Sequence, residues 1–304
     1  MTQAARVRIG WSDLPEAVRS RSERIIGGRV VAAHSQPGGF SPGSADRVVT
    51  DSGRRAFVKA VTPAVNERSA ELARQEMRIT SAMPGNAPVP RMLGGFDEGG
   101  WVVLVLEDID GAHPRTPWVE SEIDAAMTAL AELAAAVTPS PVHGVPSAAD
   151  NLAGDFAAWA KIAADPPADL DPWCAARLPE LRSASERAVA AIATGETLVH
   201  CDIRADNLLI RRGGRIMVID WPWGCVGPEW LDRLLLGLDV LTNGGDPSRV
   251  FEGIDAGAVT DITASIAGMF EHVCRQPPPP GIPTVRAFQR AHADAIRPWL
   301  RERL

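Results

Sequence analysis

The chain has 304 residues, 45% of them hydrophobic, and a formal net charge of −7, ample for a buried core in one large or two modest domains. No apolar run approaches the ~18 residues of a membrane span. The first forty residues lack the apolar stretch of a secretory signal, and basic residues neither cluster nor alternate with aromatics as a nucleic-acid footprint requires.

Cys174, Cys201, Cys225 and Cys274 share no C-x-x-C spacing and read as reduced thiols, so a cytoplasmic protein is expected. Charge is uneven, at +1 over residues 1–110 and −8 over the remainder. An acidic second half either draws in a cationic substrate or is an ordinary soluble surface.

Along the chain, Arg29 to Ala33 is the first strand candidate. Gly38-Gly39-Phe40-Ser41-Pro42-Gly43 follows; its glycines either let backbone amides approach phosphate oxygens or form a plain turn. Arg47 to Thr50 and Arg54 to Val61 flank Asp51-Ser52-Gly53, which predicts a hairpin. Lys59 lies in the second of these runs, in a chain with only one other lysine, Lys161, against twenty-nine arginines. A compact ammonium sits against phosphate as a point charge where a guanidinium fork is too large. Lys161 reads as a solvated helix residue. Asn66 to Met83 is a predicted helix ended by Pro84-Gly85, and Glu67, Glu71 and Glu76 lie in it. Arg91 to Phe96 and Trp101 to Leu106 form a second strand pair. At Glu107-Asp108-Ile109-Asp110-Gly111 the character turns from strand-rich to helix-rich.

Helices are expected at Val119 to Val137, Leu152 to Ala164 and Trp173 to Ala193. Then comes the most informative segment, His200-Cys201-Asp202-Ile203-Arg204-Ala205-Asp206-Asn207, with Asp220 thirteen residues on. Leu208 to Ile210 and Arg215 to Ile219 are short apolar runs about Gly213-Gly214, a second hairpin signal. Asn207 enters its first strand and Asp220 leaves its second, so both sit at the open end. Two oxygen donors so placed suit magnesium, which takes its other ligands from water and phosphate. Asp202 can accept the proton of an attacking hydroxyl, and Arg204 can offset charge on a phosphoryl group in flight. Taken singly, each piece has a plainer reading: a core histidine beside a surface acid, or an aspartate capping a helix. Their common spacing around one hairpin is what favours chemistry. No second His or Cys stands at zinc-ligand spacing. Helices are also expected at Glu229 to Leu241, Val259 to Val273 and Val285 to Leu304, with Pro277 to Pro280 a stiff spacer.

His200-x-Asp202-x-x-x-x-Asn207 and Val218-Ile219-Asp220-Trp221 resemble the signature of the aminoglycoside phosphotransferase family, which includes choline and macrolide kinases. The resemblance implies an α+β, two-lobed, protein-kinase-like fold. Its small lobe, residues 1–108, would hold an antiparallel sheet and one main helix; its larger, mostly helical lobe, residues 109–304, would carry catalysis and substrate binding. It implies ATP or GTP as donor, Mg2+, and a small-molecule hydroxyl as acceptor, an antibiotic such as an aminoglycoside or macrolide among the options. Asp202 would be the catalytic base with Arg204 assisting, and Asn207 and Asp220 the metal ligands. Ser41 and Gly43 would lie over the phosphates and Lys59 against them. Glu76 would orient Lys59, with Glu71 the fallback. The Glu107 carbonyl and Ile109 amide would hold the nucleobase, and Asp232 would brace the catalytic loop or stabilise its own helix end. Cys201 departs from the family, which usually has glycine there, so this backbone must tolerate a side chain. Trp221, where protein kinases carry Phe, fits the small-molecule branch.

Trp223, Glu229, Trp230, Glu271 and His272 are either acceptor-pocket or packing residues. The last helix, with Arg286, Arg290, Arg297, Arg301 and Arg303, is basic, which argues against a strongly cationic acceptor. The rival expectation is a non-catalytic, nucleotide-binding regulator of the same fold.

Overall fold

A computed structural model describes residues 9–36, 43–279 and 282–304. In chain order its elements begin with α1 (Glu16–Ile26), β1 (Val30–Ser35), β2 (Ser44–Thr50), β3 (Arg55–Val61), α2 (Glu67–Ser81), β4 (Met92–Glu98), β5 (Trp101–Leu106) and β6 (Gly111–Ala112). Next come α3 (Glu120–Ala136), α4 (Ala148–Phe156), α5 (Ala158–Ala164), α6 (Pro172–Ala176), α7 (Leu178–Ala191), β7 (Thr197–Val199), β8 (Leu208–Arg211) and β9 (Ile216–Val218). The chain closes with β10 (Cys225–Gly227), α8 (Leu231–Thr242), α9 (Ser248–Phe251), α10 (Ala256–Val273) and α11 (Val285–Arg301). Among the described residues, no helix is long and apolar enough to cross a membrane.

The chain packs as two compact units that are not contiguous in sequence. One is built on residues up to His113 together with Asp206–Trp223; the other on Pro114–Ala205, Gly224–Pro278 and Thr284–Leu304. The hairpin carrying Asn207 and Asp220 thus packs with the amino-terminal sheet, although it lies a hundred residues further along.

In the first unit, five strands form an antiparallel sheet in the order β1-β2-β3-β5-β4. Alternation sorts its two faces, because successive side chains of a strand point opposite ways. Ala56, Val58, Ala60, Val103 and Val105 pack with Trp11, Leu14, Val18 and Ile26, under the first helix. Val61, Val102, Leu104 and Leu106 pack with Ala70 and Ala73 of α2, joined by Phe57 and Met77. Lys59, between Phe57 and Val61 in this period, therefore belongs to the α2 face. Helix α2 starts at Asn66, whose side chain accepts from the Ser69 amide, the bond expected of an N-cap asparagine. A second sheet of the same unit has the order β6-β8-β9, with Leu208 opposite Val218.

The second unit is mostly helical. Ala188, Ile192, Leu231, Leu234, Leu238, Val259 and Ile262 form one core cluster. Trp159, Leu181, Ala184, Ala264, Ala267, Ile296 and Leu300 form another. At Gly268 a β-carbon would collide with the Trp159 indole, which donates to the Ala264 carbonyl at 2.8 Å; only glycine lets the ring in so close. Two helices expected as single rods are each broken, at Ala157 between α4 and α5 and at Arg177 between α6 and α7. Pro179 sits in the first turn of α7, where its missing N–H costs nothing.

Candidate active site

Lys59 is the centre of the first unit's polar cluster. Its Nζ lies 2.6 Å from Glu76 Oε1 and 2.6 Å from Asp220 Oδ1. Glu76 is 4% exposed, and Glu71 is instead an exposed partner of Arg68. Burial works against the lysine's charge, but Asp220 and Glu76 outweigh it and hold the ammonium above its ordinary range. Burial raises the Glu76 carboxyl, with Lys59 acting in the opposite sense and Asp220 adding to the rise. With both carboxyls ionised the cluster carries one negative charge in excess, which suits a cation beside Asp220.

The β8–β9 hairpin delivers Asp220 to this point. The Ile219 amide donates to the Asn207 carbonyl at 2.9 Å, so Asn207 and the start of the Asp220 turn are neighbours at one end of the ladder. Asn207 is 3% exposed, whereas the Asp220 side chain is 39% exposed. Asp220 has φ +67°, a left-handed conformation that costs a non-glycine residue energy and that clusters at functional sites. Trp221 anchors the turn, buried, with its indole donating to the Val218 carbonyl. An amide oxygen and a carboxylate are both hard donors, so the pair fits magnesium chemically.

Three further expected residues fall in this unit. At Gly43 a β-carbon would collide with the Ala60 carbonyl, so packing against β3 alone demands glycine. Ser41 lies outside the described residues. Glu107 follows β5 and pairs with Arg211 of β8 and with Arg91. Burial opposes its ionisation, but these arginines hold the carboxyl below the usual range. Ile109 is buried. Between them, Asp108 is clamped by Arg47 and Arg55.

The second unit carries the His200–Arg204 turn. It leaves β7 and is held by the buried Asp232 of α8, which accepts from the amides of His200 at 2.7 Å and Cys201 at 3.0 Å. Asp232 therefore braces the loop from the first turn of α8. Burial raises its carboxyl. The Asp202 amide donates to His200 Nδ1 at 3.2 Å. Cys201 has φ +63°, which gives the physical reason for the family's glycine: the turn needs a left-handed residue there. Arg204 Nη1 lies 3.5 Å from Asp202 Oδ1, and its guanidinium stands 5.3 Å from the Phe288 ring centroid.

Asp239 was not anticipated from the sequence. Seven residues past Asp232 on the same helix, it accepts from the Ala205 amide at 3.0 Å and from the Trp118 indole at 2.8 Å. An aspartate inside the apolar run from Leu234 to Leu241 was the available signal, since a buried acid needs donors.

Most arginines of the last helix pair with carboxylates, while Arg286 donates to the Pro277 carbonyl and to Gln289. Arg290 and Arg297 reach the buried Glu271, Arg297 also pairs with Asp294, and Arg301 with Asp171. Glu271 is thus a packing residue. These pairings offset much of the positive charge of α11 and weaken the charge argument against a cationic acceptor.

A sheet-based unit with a lysine–glutamate–aspartate cluster, and a helical unit with a braced His-x-Asp turn, define a kinase-like phosphotransferase. The profile of the phosphotransferase enzyme family (APH) matches residues 39–258, and the chain belongs to that family. No curated protein sequence matches. Among solved structures, the GDP and kanamycin complex of APH(2")-IIIa is similar with TM-score 0.63 at 13% identity, covering 95% of this chain and 98% of that one. A thermostable mutant of APH(4)-Ia with ADP and hygromycin B gives 0.59 at 16%, covering 92% and 97%. An aminoglycoside phosphotransferase from Alicyclobacillus acidocaldarius gives 0.57 at 14%, covering 95% and 96%. At such identities the likeness is one of fold, and that fold is the one the sequence implied.

Proposed function

We propose that the chain moves the γ-phosphoryl group of ATP or GTP to a hydroxyl of a small molecule, with Asp202 as the base. The observation that carries this reading is Lys59 held within 2.6 Å of both Glu76 and Asp220, in a chain of a phosphotransferase family. Lys59 binds phosphate oxygens, and Glu76 keeps it charged and aimed. Asn207 and Asp220 would hold Mg2+, which when bound neutralises phosphate charge. Gly43 would lie near the phosphates, and Glu107 and Ile109 would hold the base through the main chain. Asp202 orients the acceptor hydroxyl and takes its proton, and Arg204 offsets charge on the group in transfer. Because phosphoryl transfer passes through a loose transition state, positioning and electrostatics supply most of the rate.

An antibiotic hydroxyl is one acceptor class within this reading. Kanamycin and hygromycin B occupy the related structures, and one neighbour is a spectinomycin phosphotransferase. The test is a panel of aminoglycosides, macrolides, sugars and choline, run with ATP and with GTP and read as nucleoside diphosphate release. Release stimulated by one compound class, with a phosphorylated product by mass, supports the enzyme. Nucleotide binding with no turnover across the panel supports a non-catalytic regulator instead.

A further inference from the structure

We propose that Cys201 and Cys225 form an oxidation site, closing to a disulfide on reaction with a low-molecular-weight disulfide and thereby displacing the catalytic turn. The two sulfurs are 3.0 Å apart, both thiols are free, and neither has a part in the proposed phosphoryl transfer. Their settings differ. Cys225 is fully buried in β10, fixed by pairing with Val199 of β7. Cys201 stands two residues past Val199, in the left-handed turn, and is half-buried. Cys201 is therefore the less buried residue of the two, and it sits in a turn and not in a paired strand.

The chemistry balances as two exchanges. The Cys201 thiolate attacks one sulfur of the reagent RSSR; its S–S bond breaks, a protein–S–S–R bond forms, and RS− leaves to take up the proton that Cys201 released. Cys225 then attacks the Cys201 sulfur, expelling a second RS−, which is protonated in turn. Two protein thiols lose two electrons and two hydrogens, and RSSR becomes two RSH. The hydrogen bond with Cys225, burial, and the nearby Asp232 and Asp202 carboxylates keep the Cys201 thiol protonated, so the first exchange is slow, because the thiolate is the attacking species.

Closure shortens the sulfur separation to about 2.05 Å, a movement of about 1 Å that β10 cannot share equally. The displacement falls on Cys201, whose amide donates to Asp232 and whose next residue is Asp202. A misplacement of about 1 Å at a reacting group can cost about 100-fold in rate. The bond itself is independent of the proposed function; its effect on turnover rests on Asp202 acting as the base.

The experiment incubates the full chain with 2-hydroxyethyl disulfide, quenches with acid and maps unreduced peptides. In parallel, nucleoside diphosphate release is followed before oxidation, after it, and after dithiothreitol. The expected result is a Cys201–Cys225 linked peptide two hydrogens lighter, with turnover lowered between about 10-fold and 100-fold and restored by the reductant. Cys225→Ala should give no linked peptide and keep the rate of its own untreated form; Cys201→Gly serves if that variant does not fold. Mixed disulfides alone, or a linked protein with unchanged turnover, overturn the proposal. Should the reduced protein show no turnover at all, the phosphotransfer reading fails separately. The disulfide is then judged by the linked peptide and by altered amide exchange over residues 200–205, and unchanged exchange overturns it.

Discussion

The two polar centres are built on opposite plans. Around Lys59 a charge meets charges: one ammonium between two carboxyls, Glu76 buried and Asp220 partly open. Around Asp202 the carboxylates meet backbone: Asp232 takes the amides of His200 and Cys201, and Asp239 that of Ala205. The first plan leaves a net charge that a ligand can use. The second spends its charges on shape, fixing a turn whose own residue, Cys201, adopts an unfavourable φ. Substitutions in the first centre should therefore register in nucleotide binding, and substitutions in the second in turnover.

The sharpest separation comes at Asp202. Losing a general base costs about 10²–10⁴-fold, so Asp202→Asn should lower nucleoside diphosphate release by that much while nucleotide affinity by calorimetry stays unchanged. Full activity in this variant would remove the assigned role. Asp232→Asn comes next. An amide oxygen can accept one of the two loop amides, but its NH2 faces the other, leaving a buried donor unsatisfied at about 1–3 kcal/mol. Turnover should fall by up to about 100-fold through displacement of the loop, again with nucleotide binding retained. If binding and turnover fall together, the two centres are not separable in this way. At the other centre, Glu76→Gln should weaken nucleotide binding about tenfold or more, since hydrogen bonds to charged groups contribute about 1.5–3 kcal/mol. Its effect on kcat at saturating nucleotide should be the smaller one.

The same contrast explains what the sequence disclosed. Strands β2 to β5 were legible because alternation and glycine turns are local signals, and Gly53, Gly99 and Gly100 do take positive φ. The spacing of Asp202, Asn207 and Asp220 was legible because one hairpin relates the last two. Helix α1 was not, because arginine, serine and glutamate outnumber the apolar residues among which Val18 and Ile26 are buried. Strands β7 and β10 have three residues each, too few for a period. The break at Ala157 has only Gly154, three residues earlier, to announce it, whereas Pro179 offered a signal for the one at Arg177. Asp239 and the ion-paired arginines of α11 depend on partners over a hundred residues away in several cases, and no local pattern carries that information.

The smallest expected effect concerns those arginines. Burial opposes ionisation of Asp171, but the Arg301 guanidinium and the amides of Cys174 and Trp173 outweigh it, so its folded pKa lies below the ordinary 3.8. A depressed carboxyl stabilises the fold fully above its unfolded value and loses that contribution as pH falls through the folded one. Arg301 is 47% exposed and Asp171 19%, which places the pair among partly solvated ones worth about 0.2–1 kcal/mol. Arg301→Ala should therefore lower the thermal midpoint slightly and by a constant amount above about pH 5, with the gap narrowing below about pH 4. The amide bonds to Asp171 remain in the variant, so acid should still destabilise it, only less steeply. A gap that stays constant on acidification would mean that Arg301 stabilises the fold through its contact with Trp173 and not through Asp171.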